Sequence, residues 1–129
     1  MDKQELQART KQFALRVFKL VDALPRTPAG RAVANQLVRS ATSVGANYRA
    51  ACRARSRAEF AAKLGTVLGE ADESLYWLEL IHEGKLITDS KLSLLLTEAG
   101  ELTAILAAGR KSATANTSNI KHRTSYISS

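Results

Sequence analysis

RTPAGRAVANQLVRSATSVGANYRAACRARSRAEFAAK, residues 26–63, holds two helix starts and most of the uncompensated charge of a 129-residue chain. Thr27 followed by Pro28 is a capping side chain ahead of a proline at the first helical position, where the missing N–H is no loss. From there Val33, Leu37, Ala41, Val44, Tyr48 and Ala51 recur at the spacing of one helix face. A long amphipathic helix to about Arg55 is therefore expected, with Gly45 interrupting it without ending it. Ser56 and Glu59 then have the reciprocal spacing of a capping box, which opens a further helix.

Two more helices flank this stretch. Before it, Leu6, Phe13, Val17, Leu20, Val21 and Leu24 share one face of a helix from Lys3 to Leu24, and Pro25 stops it by disfavouring helical backbone at the residue it follows. After it, the helix opened by Ser56 reaches about His82 and is closed by Gly84, with Phe60, Leu64, Val67, Leu68, Ala71, Leu75 and Leu78 inward. A fourth starts after Thr88, turns Leu92, Leu95, Leu96, Ala99, Leu102 and Leu106 inward, and ends near Gly109. Strand patterns are absent. Short connections favour antiparallel neighbours, so residues 1–110 are expected to form an all-α, up-and-down antiparallel four-helix bundle. Residues 111–129, rich in Ser, Thr and Asn, read as a disordered polar and basic tail.

The length fits one domain with a sizeable core. The first twelve residues are charged throughout, and no apolar run approaches the roughly 18 residues needed to cross a bilayer. No membrane partner is expected, and a cytoplasmic location is. The single cysteine, Cys52, fits a reducing compartment, where it would act as a small buried apolar residue.

Charge is divided along the chain. Residues 26–63 have eight basic side chains against one acid, Glu59, a net of +7, whereas residues 64–110 have three against eight, a net of −5. At about 100 degrees per residue, Arg31, Arg39, Arg49, Arg53 and Arg57 fall within about 80 degrees of arc beside Asn35 and Thr42. A row of guanidiniums without local acids is suited to phosphate, so these five arginines are the expected nucleic-acid contacts, with Lys111, Lys121 and Arg123 as a mobile supplement. The competing expectation is that the basic face meets acidic helices of another copy or of a protein partner. Base-specific readout is not expected. Only Tyr48, Tyr76, Trp77 and Tyr126 could stack on bases, and Tyr48 lies on the core face.

Several apolar residues miss the core faces. Leu15 and Phe18 in the first helix, Tyr76, Trp77 and Leu80 in the third, and Leu94 and Ile105 in the fourth would be wet in a lone bundle. Gly65 and Gly69 lie near Tyr76, and each costs about 1 kcal/mol against alanine within a helix, which a close-packed neighbour would explain. Self-association through Leu15, Phe18, Tyr76, Trp77 and Leu80 is expected.

Catalytic patterns fare poorly. Glu79 and His82 have the Glu-x-x-His spacing of di-iron bundles, but those sites need a second such pair and two further carboxylates, and the other histidine, His122, is in the tail. No histidine is placed as a base beside a nucleophile, and no glycine-rich phosphate loop follows a strand. No enzyme, cofactor or metal is expected. Asn47, a mediocre helix former in mid-helix, is expected to tie two helices together.

The runs Arg39-Ser40-Ala41-Thr42-Ser43-Val44-Gly45-Ala46-Asn47-Tyr48-Arg49-Ala50-Ala51, Ser56-Arg57-Ala58-Glu59-Phe60, Glu70-Ala71-Asp72-Glu73-Ser74 and Trp77-Leu78 resemble the four-helix bundle proteins encoded within intervening sequences of bacterial 23S rRNA genes. The likeness spans residues 5 to 108, and the Ser-x-x-x-Asn element ending at Asn47 and the Ser-Arg-Ala-Glu-Phe run are its most specific parts. The resemblance implies up-and-down bundles that assemble into ring-shaped homo-oligomers, pentamers, with basic surfaces toward RNA or DNA. A related group serves as accessory proteins of diversity-generating reverse transcriptases, so it also implies a reverse transcriptase as a partner. Ala50 stands where many relatives carry a glutamate, and any role of that acid does not transfer.

Overall fold

The structure is a computed structural model that describes the backbone of residues 1–88 and 90–128 and the side chains of residues 1–88 and 90–115. Its elements are α1 (Lys3–Asp22), α2 (Pro28–Ala51), α3 (Arg57–Glu83) and α4 (Ser90–Ser128), with no strand among the described residues. Three starts are capped by side chains. Asp2 accepts from the Glu5 N–H, Thr27 from the Gly30 N–H at 3.1 Å ahead of Pro28, and Ser56 from the Glu59 N–H at 3.1 Å. The Glu59 carboxylate returns to the Arg55 N–H, one residue earlier than the usual box.

Two helices end earlier than the apolar pattern runs. α1 stops at Asp22, and Ala23 and Leu24 bond back to Leu20 and Val21 in a tightened last turn before Pro25. α2 stops at Ala51 rather than near Arg55, because Ser56 needs extended backbone (φ −149, ψ 163) to cap α3 and the chain must leave the helix several residues before it. α4 instead continues through Gly109 to Ser128. The flexible tail expected over residues 111–129 has its side chains from 116 onward, and all of Ser129, outside the described residues.

The helices pack in chain order. α2 with α3 and α3 with α4 make the extensive interfaces, α1 with α2 a lesser one, and α1 with α4 the least. The core joins Phe13, Val17 and Leu20 of α1, Leu37, Ala41 and Val44 of α2, Leu64, Val67, Leu78 and Ile81 of α3, and Leu95, Ala99, Leu102 and Leu106 of α4. Val21, Val33, Phe60, Leu68, Leu75 and Leu96, expected inward, are half-buried against this core. By length and composition Ser90–Ala115 could cross a membrane, but its Leu92, Leu95, Ala99, Leu102 and Leu106 line the bundle interior and its Glu98 and Glu101 are ion-paired.

Polar ties hold two of the seams. Between α2 and α3 the buried hydroxyls of Ser40 and Ser74 lie 2.9 Å apart, and Arg39 pairs with Glu70 and Glu73. Between α1 and α4 the Arg9 guanidinium grips Glu98 through Nε at 2.8 Å and Nη2 at 2.6 Å, and reaches Glu101 at 2.5 Å. The Glu98 bonds, then the Glu101 ones, hold the guanidinium protonated well above its ordinary range. Asn47 is not an interhelical tie. Its amide donates to the Ser43 carbonyl of its own helix at 2.9 Å, and the tie it was expected to make falls to Ser40 and Ser74.

Two outcomes follow from this packing. A Cβ at Gly30 would lie 2.0 Å from the Pro25 carbonyl oxygen, and backbone cannot yield as a side chain can, so Gly30→Ala is expected to cost about 1–3 kcal/mol or more in chemical denaturation. Unchanged stability would mean that the Pro25–Thr27 turn relaxes freely. Arg9→Ala strands Glu98, whose side chain is 14% exposed, whereas Arg39→Ala strands acids at a more open surface. The thermal midpoint should fall further for Arg9→Ala, and equal falls would refute that ranking.

Candidate nucleic-acid interface

Up-and-down topology gathers the start of α1, the end of α2, the start of α3 and the later turns of α4 at one end of the bundle. Contacts fix this arrangement. The Lys3 ammonium sits 4.7 Å from the Phe60 ring centroid, and a Cβ at Gly109 would lie 3.9 Å from Leu64 Cδ1. The end therefore collects Lys3, Lys11, Arg49, Arg53, Arg55, Arg57, Arg110 and Lys111. The acids Asp2, Glu5 and Glu59 are there too, but Asp2 caps α1, Glu5 is exposed on the first turn of α1 and does not line the groove, and Glu59 caps α3 while facing Lys63 at 3.9 Å. The opposite end mixes Lys19, Arg26, Arg31 and Lys85 with Asp22, Glu79 and Glu83.

The five arginines expected to act as one stripe are separated by this geometry. Arg49 and Arg53 stay together and line the open seam between α1 and α2. Arg57 is exposed at the same end, but on the first turn of α3, because the projection that aligned it with α2 fails once α2 ends at Ala51. Arg39 is drawn across the α2–α3 seam to Glu73 and Glu70, whose bonds hold it protonated above its ordinary range. Arg31 is exposed near the other end, about 27 Å along α2 from Arg49 at 1.5 Å per residue.

The α1–α2 seam is an open groove of about 750 Å³. Gln4, Gln7, Ala8, Thr10, Lys11 and Ala14 line one wall, and Thr42, Gly45, Ala46, Arg49, Cys52 and Arg53 the other. Small residues, Ala8, Ala14, Gly45 and Ala46, contribute to both walls, and a Cβ on Gly45 would meet Thr10 Oγ1 at 3.4 Å. Lys11, Arg49 and Arg53 make no ion pair among the described residues. Thr10 and Thr42 turn their hydroxyls back to carbonyls of their own helices, at 2.9 Å to Leu6 and 2.7 Å to Val38. What remains is the positive charge of Lys11, Arg49 and Arg53, the amides of Gln4 and Gln7 and the Cys52 thiol, a set that suits phosphate oxygens and supplies no nucleophile–base pair. Lys11, Gln4 and Gln7 were not evident as site residues in the sequence, because nothing local marks which face of α1 meets the end of α2.

Cys52 is half-buried in the groove wall instead of lying in the core. It neighbours Tyr48, whose phenol is pushed up by burial first and by its bond to Cys52 second, so Tyr48 stays protonated and inward. Glu79 and His82 are both exposed, and among the described residues no three metal-ligating side chains converge.

The apolar residues expected at an assembly surface divide. Leu15, Phe18, Tyr76 and Leu80 are exposed, as is Leu94, the most open of them at 60%. Trp77 is half-buried against the core in edge contact with Tyr76, and its Nε1 is buried without a hydrogen-bond partner. Ile105 also packs against the core. Gly65 is accounted for within the chain by the Arg110 guanidinium lying on it, and Gly69 faces open space. Lys111 is exposed, while Lys121, Arg123 and Tyr126 lie outside the described side chains.

No curated protein matches this chain. A crystal structure of a protein of unknown function from the S23 ribosomal protein family of Bacteroides thetaiotaomicron superposes with a TM-score of 0.76 at 33% identity, covering 86% of this chain and 99% of that one. Residues 2–108 match the 23S rRNA-intervening sequence proteins, so the four helices and the groove between the first two are those of a member of that family.

Proposed function

We propose that this protein is a non-catalytic, self-associating cytoplasmic bundle that binds RNA or DNA through its phosphate backbone. Lys11, Arg49 and Arg53 in the α1–α2 groove, with Arg57 on the first turn of α3 at the same end of the bundle, are the contacts. One observation carries this reading: these cations flank an open seam without an acid partner, while Glu70, Glu73, Glu98 and Glu101 are consumed by Arg39 and Arg9 at other seams. Arg39 is internally paired and Arg31 is remote, so neither belongs to the contact set. The groove contains no aromatic face and no base-reading fork in a rigid frame, which supports affinity without sequence preference.

Self-association rests on a different surface. Tyr76 and Leu80 stand 53% and 36% exposed on the outer face of α3, Leu15 and Phe18 on α1, a composition suited to contact between copies that assemble into a closed ring, as pentamers. Such contacts leave the basic end accessible to a polyanion.

Titration of the purified protein against labelled nucleic acid across a salt series tests the binding. Four phosphate contacts give a log–log slope of about −2.8 for single strands and −3.6 for B-form duplex. Charge reversal of Arg49 and Arg53 is expected to abolish binding with the fold intact by circular dichroism, and absence of binding by the native chain at low salt would end this reading. Native mass separates the two surfaces. Tyr76→Glu with Leu80→Glu is expected to yield monomer, whereas Arg49→Ala with Arg53→Ala should leave the oligomer whole; dissociation by the arginine pair would make the basic face the subunit contact.

A further inference from the structure

A further unpaired cation, outside the groove, is held in a defined position at the same end of the bundle. The Arg110 guanidinium of α4 lies directly on α3 at Gly65, where a Cβ would sit 3.2 Å from its Cζ and Nε and 3.3 Å from Nη2. A glycine in mid-helix costs about 1 kcal/mol against alanine, and here it opens the notch that lets the guanidinium lie flat on the helix backbone. Arg110 is exposed and makes no ion pair among the described residues. Lys111 follows it.

Arg110 marks the α3–α4 seam. Among the described residues the helices pack with their chain neighbours and α1 with α4, so that seam is opposite the α1–α2 groove. Two cationic sites thus stand on opposite flanks of one bundle end, roughly 20 Å apart for helices about 10–12 Å across, and flexible arginine and lysine side chains shorten that gap. Arg53 and Arg55 lie in the turn between α2 and α3, and Arg57 opens α3.

A single extended strand following the groove would meet Lys11, Arg49 and Arg53 and leave Arg110 idle. A double helix offers two phosphate rows separated by its grooves, about 12 Å for the major groove of B-DNA, and one charge per about 1.7 Å of axis. Proteins that prefer single strands stack bases on exposed rings. Among the described side chains no such ring is available at this end, since Tyr48 is buried and Phe60 is half-buried beneath Lys3. We propose that the nucleic acid bound by this protein is a double helix, seated across the basic end so that Arg110 contacts one phosphate row while Lys11, Arg49 and Arg53 contact the other. The inference rests on the nucleic-acid reading given above and adds the strandedness of the ligand and a residue from the far seam.

The test is fluorescence anisotropy of the full chain with labelled DNA duplex, RNA duplex and their separated strands of equal length, for the native protein and for Arg110→Gln. Duplexes of either sugar are expected to bind at least about tenfold tighter than the strands. Arg110→Gln should weaken duplex binding about five- to tenfold at 0.1 M salt and reduce the slope by about 0.9, the contribution of one phosphate contact, while single-strand binding stays unchanged. Tighter binding to one duplex than the other identifies the sugar and leaves the inference standing. Equal or tighter binding of single strands, or equal losses on both by Arg110→Gln, would overturn the inference and leave phosphate binding in place. No binding of any of the four would remove both.

Discussion

The reversal between α2 and α3 decides where every functional charge ends up. Ser56 caps α3 only in extended backbone, and the Glu59 carboxylate holds the Arg55 N–H at 3.1 Å, so the five residues from Cys52 to Ser56 are committed to a turn. That turn makes α2 and α3 antiparallel neighbours. It aligns Ser40 with Ser74 and Arg39 with Glu70 and Glu73, and it carries the arginine-dense run around a corner instead of along one helix. A continuous helix through residue 57 would have presented a straight row of cations. The turn presents a cluster at the end of a bundle.

The four seams differ in what closes them, and the difference locates the groove. α2–α3 has a buried hydroxyl pair and the two ion pairs of Arg39 across it, α3–α4 has extensive apolar packing, and α1–α4, with the least packing, has the three-point grip of Arg9 on Glu98 and Glu101. α1–α2 has none of these along its outer edge. Ala8, Ala14, Gly45 and Ala46 are too small to fill it, and no acid faces Lys11, Arg49 or Arg53. The open seam is therefore also the cationic one. The small residues that let the helices meet at Thr10 and Gly45 leave room beside that crossing.

Much of this fold was legible because its signals are local. Pro25, the Thr27–Pro28 pair, the Ser56–Glu59 box and the 3.6-residue periodicity each act within a turn or two of chain, so helix number, order and most core residues could be read directly. The site was legible in part. The charge imbalance of residues 26–63 pointed to the right segment, but the fate of Arg39 depends on acids 31 and 34 residues later, which no local pattern reveals. Arg57 was misplaced because helical projection was carried across a cap. Lys11 and Arg110 come from helices whose own sequences are unremarkable in charge, and only topology brings them to the same end. Asn47 shows the reverse error: a polar residue in mid-helix suggested a long-range role, yet its bond to the Ser43 carbonyl is satisfied within its own turn.

Salt acts on these charges in opposite senses, which connects the economy of the fold to its use. Arg49 and Arg53 are one helical turn apart, and like charges at that spacing repel by a few tenths of a kcal/mol. Arg55 and Arg57 follow in the next few residues, so cations are close-set here relative to the Debye length of about 8 Å at physiological ionic strength. Added salt screens that repulsion and favours the free folded chain at this end, while it weakens the Arg9 and Arg39 pairs elsewhere. A polyanion relieves the same repulsion far more effectively, because its phosphates are fixed at close range and its own condensed counterions are released on contact. The unpaired cations are thus a small destabilisation of the isolated protein that becomes favourable when a polyanion is bound. Four acids of α3 and α4 leave it in place, since Glu70, Glu73, Glu98 and Glu101 are paired with Arg39 and Arg9 at the other seams.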